Sequence, residues 1–160
     1  MKNRRITTSF LKLVVYLIGI IVCGFYIVAV PDMVKQADAW YKACIIYTII
    51  AVLLMTGIPF YLALFNTLKL LKLIDNNNAF SDLSVTALKN IKDSAISISG
   101  LYLLSTPLLY LWADKSDAPG ILLIGLIVLF SSVVIATFTA VLERLLEEAL
   151  AIKNGKGLTI

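Results

Sequence analysis

The sequence predicts an all-α integral membrane protein. It is a four-helix bundle with both termini on the cytoplasmic side and a cytoplasmic helical hairpin that extends spans two and three. Three observations predict it. Of 160 residues, 60% are hydrophobic and only 15% are charged, against about 45–50% and about 25% in soluble domains, and the mean hydropathy is +0.93. The apolar residues gather in four stretches, each near the length a helix needs to cross the hydrocarbon of a bilayer. The basic residues, finally, fall mostly on one side of those stretches.

A spanning helix needs about 20 mostly apolar residues, because it rises about 1.5 Å per residue through about 30 Å of hydrocarbon. Residues 10–30, 43–65, 95–113 and 121–142 meet that requirement and make residues 1–160 a single transmembrane domain. Unpaired backbone amides are not tolerated in lipid, and the alternating polarity of membrane β-strands is missing, so the spans are expected to be helices. The first stretch follows Lys2, Arg4 and Arg5 as a secretory signal would. It is longer than the usual h-region of about 7–15 residues, and Ile27-Val-Ala29 is a poor cleavage site, so it is expected to be retained as a span. Lys12 lies near its inner end, where its stem can snorkel the ammonium to the headgroups. Spans two to four contain no Asp, Glu, Lys or Arg.

Orientation follows from the lysines and arginines. With the N-terminus inside, the cytoplasmic set is Lys2, Arg4, Arg5, Lys12, Lys69, Lys72, Lys89, Lys92, Arg144, Lys153 and Lys156, 11 of the 14 basic residues. Lys35, Lys42 and Lys115 fall outside, and Trp40, Tyr41, Tyr110 and Trp112 form an aromatic belt at the outer interface. The net charge of +4 is thus a topology signal, and no direct nucleic-acid binding is expected. The expected location is the membrane, with both termini cytoplasmic. The outer loops, 31–42 and 114–120, are too short to fold alone, which excludes an extracellular receptor or enzyme domain.

The inner connection, 66–94, is longer and patterned. Leu68, Leu71 and Ile74 continue the helical register of span two, and the run Asn76-Asn77-Asn78 after Asp75 is turn chemistry, since Asn tolerates left-handed backbone. Ser81 or Asp82 can cap a new helix, on which Val85, Leu88 and Ile91 form one stripe while Lys89 and Lys92 lie opposite. This amphipathic pair either rests on headgroups and caps the bundle or forms a docking surface for a cytoplasmic partner. Its lysines also suit anionic lipid. The tail from Glu143 begins as helix and is broken by Asn154-Gly155-Lys156-Gly157.

The residue types of a catalyst are missing. There is no histidine, the commonest general base and zinc ligand, and two cysteines alone do not build a structural zinc site. Cys23 and Cys44 differ by about 9 Å in depth, too far for a relaxed disulfide. No phosphate-cradling loop, paired carboxylate or activated nucleophile is present, so no enzyme, metal or cofactor is expected. Span hydroxyls such as Thr48, Thr56, Ser105, Thr106 and Thr137 are expected to bond their own helix carbonyls. Ser132, Ala136 and Ala140 on span four, and Gly19 with Cys23 on span one, read as small-residue packing ridges. The span-four ridge can pack within one chain or between copies, which leaves a homo-oligomer open. Pro59 and Pro107 kink spans two and three without a charge nearby, a weak sign of a solute site.

The inner connection also carries a resemblance. Leu70-Leu-Lys-Leu-Ile-Asp75, the Asn run, Ala79-Phe-Ser-Asp-Leu-Ser-Val85 and Ala87-Leu-Lys-Asn-Ile-Lys92 resemble the bacterial DUF2975 membrane family, as do Asp117-Ala-Pro-Gly120 and the run from Ile121. The resemblance covers essentially the whole chain. It implies a four-span bacterial membrane protein without an assigned biochemical activity, often encoded beside a small helix-turn-helix regulator. The leading expectation is a regulatory or adaptor protein whose 66–94 hairpin binds such a partner. Its candidate surface is Lys69, Lys72, Asp75, Asn76, Phe80, Ser81, Leu83, Ser84, Lys89 and Lys92, with Phe80 and Leu83 as apolar anchors. A membrane immunity protein against a membrane-active peptide is one alternative, and a small-solute or lipid transporter another.

Overall fold

The computed structural model describes residues 2–153 and 155, and they form four long helices: α1 (Lys2–Lys35), α2 (Trp40–Asp75), α3 (Asp82–Lys115) and α4 (Pro119–Lys153). Each is long and apolar enough to cross a membrane. All four outrun the apolar stretches read from the sequence, because hydropathy reports the lipid-covered part of a helix and not its hydrogen-bonded length. At about 1.5 Å per residue, the 36 residues of α2 extend about 54 Å, well beyond the hydrocarbon.

The α1–α2 and α3–α4 connections are shorter than expected for the same reason. Pro31 does not end the first helix but sits inside α1, which runs on to Lys35, so only residues 36–39 link α1 to α2. Pro59 and Pro107 are likewise interior residues of α2 and α3. A proline removes one intrahelical hydrogen bond, and these long helices carry the loss without breaking.

Helices α2 and α3 end in the same way. At α2, Asn77 takes the left-handed conformation (φ 61°), while Asn78 N–H donates to the Leu73 carbonyl at 2.8 Å and Asn77 N–H to that of Ile74 at 3.2 Å. At α3, Asp117 (φ 50°) takes that place, with Ala118 N–H donating to Ala113 at 3.0 Å. Both are Schellman caps with Asn or Asp standing where glycine is commonest. Pro119 then opens α4, where its missing N–H costs nothing.

The helices pack in chain order: α1 on α2, α2 on α3, α3 on α4. Cross-contacts run in opposite senses along neighbouring helices, with Lys12 beside Asp75 and Tyr26 beside Leu53, and Lys92 beside Glu143, so neighbours are antiparallel. Among the described residues, the backbones of α1 and α4 do not approach one another. The core lies along α3, where Ala87, Leu88, Ala95, Ile98, Leu109 and Ala113 are buried against Ile46, Ile49, Ile50 and Leu71 of α2 and the inner face of α4. On α4 the buried residues are Gly125, Ser132, Thr139, Glu143 and Leu150; the first three, seven apart, form a seam of small and hydroxyl side chains that lets two backbones approach closely in lipid. Of the expected span-four ridge, Ser132 is in this seam while Ala136 and Ala140 are half-buried beside it.

Most remaining large apolar side chains face outward, among them Phe10, Leu17, Phe25, Leu104, Phe130 and Phe138. In water such a surface would be strongly unfavourable, whereas in hydrocarbon it is the solvated face. Span hydroxyls bond the carbonyl four residues back, as at Thr48, Thr56, Ser99, Ser105, Thr106 and Thr137.

Helix α1 is held differently. Thr8 is its one buried residue among those whose burial is described. Its contacts with α2 recur along its length. The Tyr26 hydroxyl donates to the Leu53 carbonyl at 2.7 Å and lies over Gly57. The Tyr61 hydroxyl donates to the Gly19 carbonyl at 3.1 Å. Each tyrosine thus reaches over a glycine of the other helix, where a larger residue would hold it off.

Candidate interaction site at the α2–α3 turn

The turn between α2 and α3 is built by short-range bonding. The Ser81 side chain accepts the Ser84 N–H at 3.4 Å and caps α3, satisfying one of the amides a helix start leaves open. Its own hydroxyl donates to the Asn78 carbonyl at 2.8 Å, and the Ser84 hydroxyl, fully buried, donates to the same oxygen at 3.3 Å. Lys153, at the end of α4, reaches the Phe80 carbonyl at 3.4 Å. Serine at 81 and 84 is therefore structural, holding the turn in one shape.

On that frame Phe80 is 57% exposed and Leu83 54% exposed. Lys69, Lys72, Asn76 and Lys89 are also exposed. Two other candidate residues face inward to neighbouring helices. Asp75 accepts from the Lys12 ammonium at 2.5 Å, so Lys12 is tied to α2 rather than snorkelling freely. Lys92 donates to Glu143 of α4 at 2.7 Å.

These pairs belong to a polar layer that joins all four helices. Lys12–Asp75 ties α1 to α2, Lys92–Glu143 ties α3 to α4, and between them the Asn90 side-chain amide donates to Asn66 Oδ1 at 3.2 Å. Asn66 in turn donates to the Leu62 carbonyl at 2.8 Å. The Lys12 ammonium holds the Asp75 carboxyl below its usual range, aided by Thr8 and Arg5. Glu143 holds the Lys92 ammonium above its usual range, chiefly through their hydrogen bond. Lys12, Asp75 and Lys92 keep some solvent exposure while Glu143 is buried, and each pair ties two helices in one register.

Lys12, Asn66, Asn90 and Glu143 were not singled out as partners in the sequence. Their signal is position: each lies at or just beyond the end of an apolar stretch nearest the α2–α3 turn, where a polar group needs a partner from another helix. Which residue supplies it depends on packing and is invisible from one chain position.

Among the described residues no three His, Cys, Asp or Glu side chains gather as metal ligands would. The family model described as a protein of unknown function (DUF2975) matches residues 4–160. The chain belongs to the DUF2975 family. A relative, the uncharacterized membrane protein YoaS of Bacillus subtilis (strain 168), is 47% identical over 158 residues, covering 98% of this chain and 99% of that protein. No solved structure matches. The DUF2975 likeness thus extends beyond the turn motif to all four helices, and the protein is a multi-pass membrane protein.

Proposed function

We propose that this DUF2975 protein is a non-enzymatic regulatory or adaptor protein of the bacterial plasma membrane, with both termini cytoplasmic, whose α2–α3 turn binds a cytoplasmic protein. A small helix-turn-helix regulator is the partner class the family resemblance suggests. One observation carries the reading: Phe80 and Leu83 stand exposed on a turn whose shape is fixed by the Ser81 and Ser84 bonds and by the α2 cap. A rigid turn presents apolar anchors at little entropic cost on binding. The exposed Lys69, Lys72 and Lys89 around it favour an acidic rim on the partner.

The test is an in-cell photocrosslink from Asn76, followed by purification in mild detergent and identification of the captured protein. The expected result is one soluble cytoplasmic protein, captured by the wild type and lost from a Phe80→Ser, Leu83→Ser double variant that still inserts in the membrane. Undiminished capture by the double variant, or crosslinks to lipid alone, would overturn the reading.

A further inference from the structure

At the opposite end of the molecule from the α2–α3 turn, two chambers of contrasting polarity share one wall. The inner chamber is a half-open apolar pocket of about 280 Å³ to which all four helices contribute, with Ala29 and Met33 from α1, Leu53 from α2, Leu109 and Trp112 from α3 and Gly125 from α4 among its lining. From Tyr102 to Trp112 its α3 wall runs about 15 Å at the helical rise, which is half of an approximately 30 Å hydrocarbon core. The outer chamber, about 340 Å³, is lined by Gln36, Asp38, Lys42 and Lys115, and again by Trp112. The Lys115 ammonium is steadied over the Tyr41 ring, 4.3 Å from its centre.

We propose that these chambers form a binding site for one phospholipid, with an acyl chain in the inner chamber and the phosphate between Lys42 and Lys115. The inner chamber is too apolar to hold ordered water, and apolar cavities of roughly half its volume already take up small hydrocarbons. Its depth matches a single leaflet, the region an acyl chain occupies. Because α1 packs on α2 alone and α4 on α3 alone, no close helix–helix contact seals the side between α1 and α4, and a chain enters there from the surrounding lipid. Trp112, lining both chambers, sits at the level where chain gives way to headgroup, the depth aromatic residues prefer. Two lysines against one aspartate give the outer chamber an excess of positive charge suited to a phosphodiester. The site does not depend on the adaptor reading or on which side of the membrane the turn faces.

The test is delipidated full-length protein titrated with phosphatidylglycerol in detergent, with bound lipid counted by native mass spectrometry. One lipid should bind to the wild type at concentrations where inorganic phosphate and glycerol phosphate do not, because they lack the chain. Lys42→Gln with Lys115→Gln should weaken binding by at least about tenfold, the effect of losing one charge-assisted hydrogen bond. Ala29→Phe, which fills the inner chamber from α1, should weaken it at least as much, and Val128→Phe fills it from α4 should the first variant not fold. Arg5→Gln with Arg144→Gln removes the same charge at the other end and should leave binding unchanged. Equal loss in that control pair would mean unspecific charge attraction and overturn the site. So would wild-type binding in a folded, cavity-filled variant, or tight binding of phosphate alone.

Discussion

Helix α1 should be the first part of this protein to move, and the force holding it can be measured. It buries Thr8 but no large apolar side chain, so its docking on α2 rests on Lys12 and Thr8 at Asp75 and on the two tyrosine–glycine contacts. Tyr26→Phe removes a 2.7 Å bond to the Leu53 carbonyl and almost nothing else. Side-chain hydrogen bonds between helices in lipid average about 0.6 kcal/mol and reach about 1.7. The ratio of undocked to docked α1 should therefore rise about threefold, and by less than about twentyfold. Gly57→Leu should do more, because a Cβ there already meets the Tyr26 hydroxyl at 3.4 Å and a longer side chain lifts the ring off α2, an overpacking effect of about 1–3 kcal/mol.

The assay is the distance distribution between spin labels at Ser9 and Lys72, both exposed, with Cys23 and Cys44 replaced by serine and the protein in lipid nanodiscs. The α1–α2 loop keeps the connected ends of the two helices together, so loss of docking appears as a second, longer distance. An unchanged distribution in Gly57→Leu would refute the reasoning, since α1 would then be held by something other than this seam.

Two further predictions concern the polar end of the molecule. Asp75 has its carboxyl held below the ordinary 3.8 by Lys12, so its contribution is present in full above that value and is lost as pH falls through the lower, folded-state value. The Ser9–Lys72 distance should therefore stay constant from neutral pH to about 4, and splaying that began near pH 6 would show that another group controls α1. At the turn, Asn77 has φ 61°, a conformation costly for branched side chains. Asn77→Gly should be tolerated while Asn77→Val destabilises by about 1–2 kcal/mol, read as faster amide exchange at Asn78 and in the last turn of α2. Equal behaviour of the two variants would remove the cap from the account of why the turn is rigid.

Much of the local structure was legible because it depends on neighbours in sequence. The Asn76-Asn77-Asn78 run marked the end of α2, and Ser81 was one of two residues expected to cap α3. Pro31 was misleading, since a boundary was expected where the helix continues to Lys35. A proline disrupts a helix through one lost bond and a local clash, and the apolar residues on both sides of Pro31 favour helix strongly enough to carry it. Within the candidate surface, sequence placed Phe80 and Leu83 as it placed Asp75 and Lys92. Only packing separates them, leaving the first two exposed and turning the second two toward α1 and α4.

The sequence by itself determined the solvent and the four helices. Hydrophobicity, charge distribution and backbone hydrogen bonding act along the chain, and a bilayer accepts few answers to them. The tertiary structure alone decided which helices touch. Lipid solvates every apolar face about equally, so hydropathy cannot rank one helix face over another as a packing surface. That choice falls to small residues at 125, 132 and 139, to tyrosines over glycines, and to polar partners 24 to 63 residues apart. The open side between α1 and α4, and the two chambers behind it, follow from those contacts.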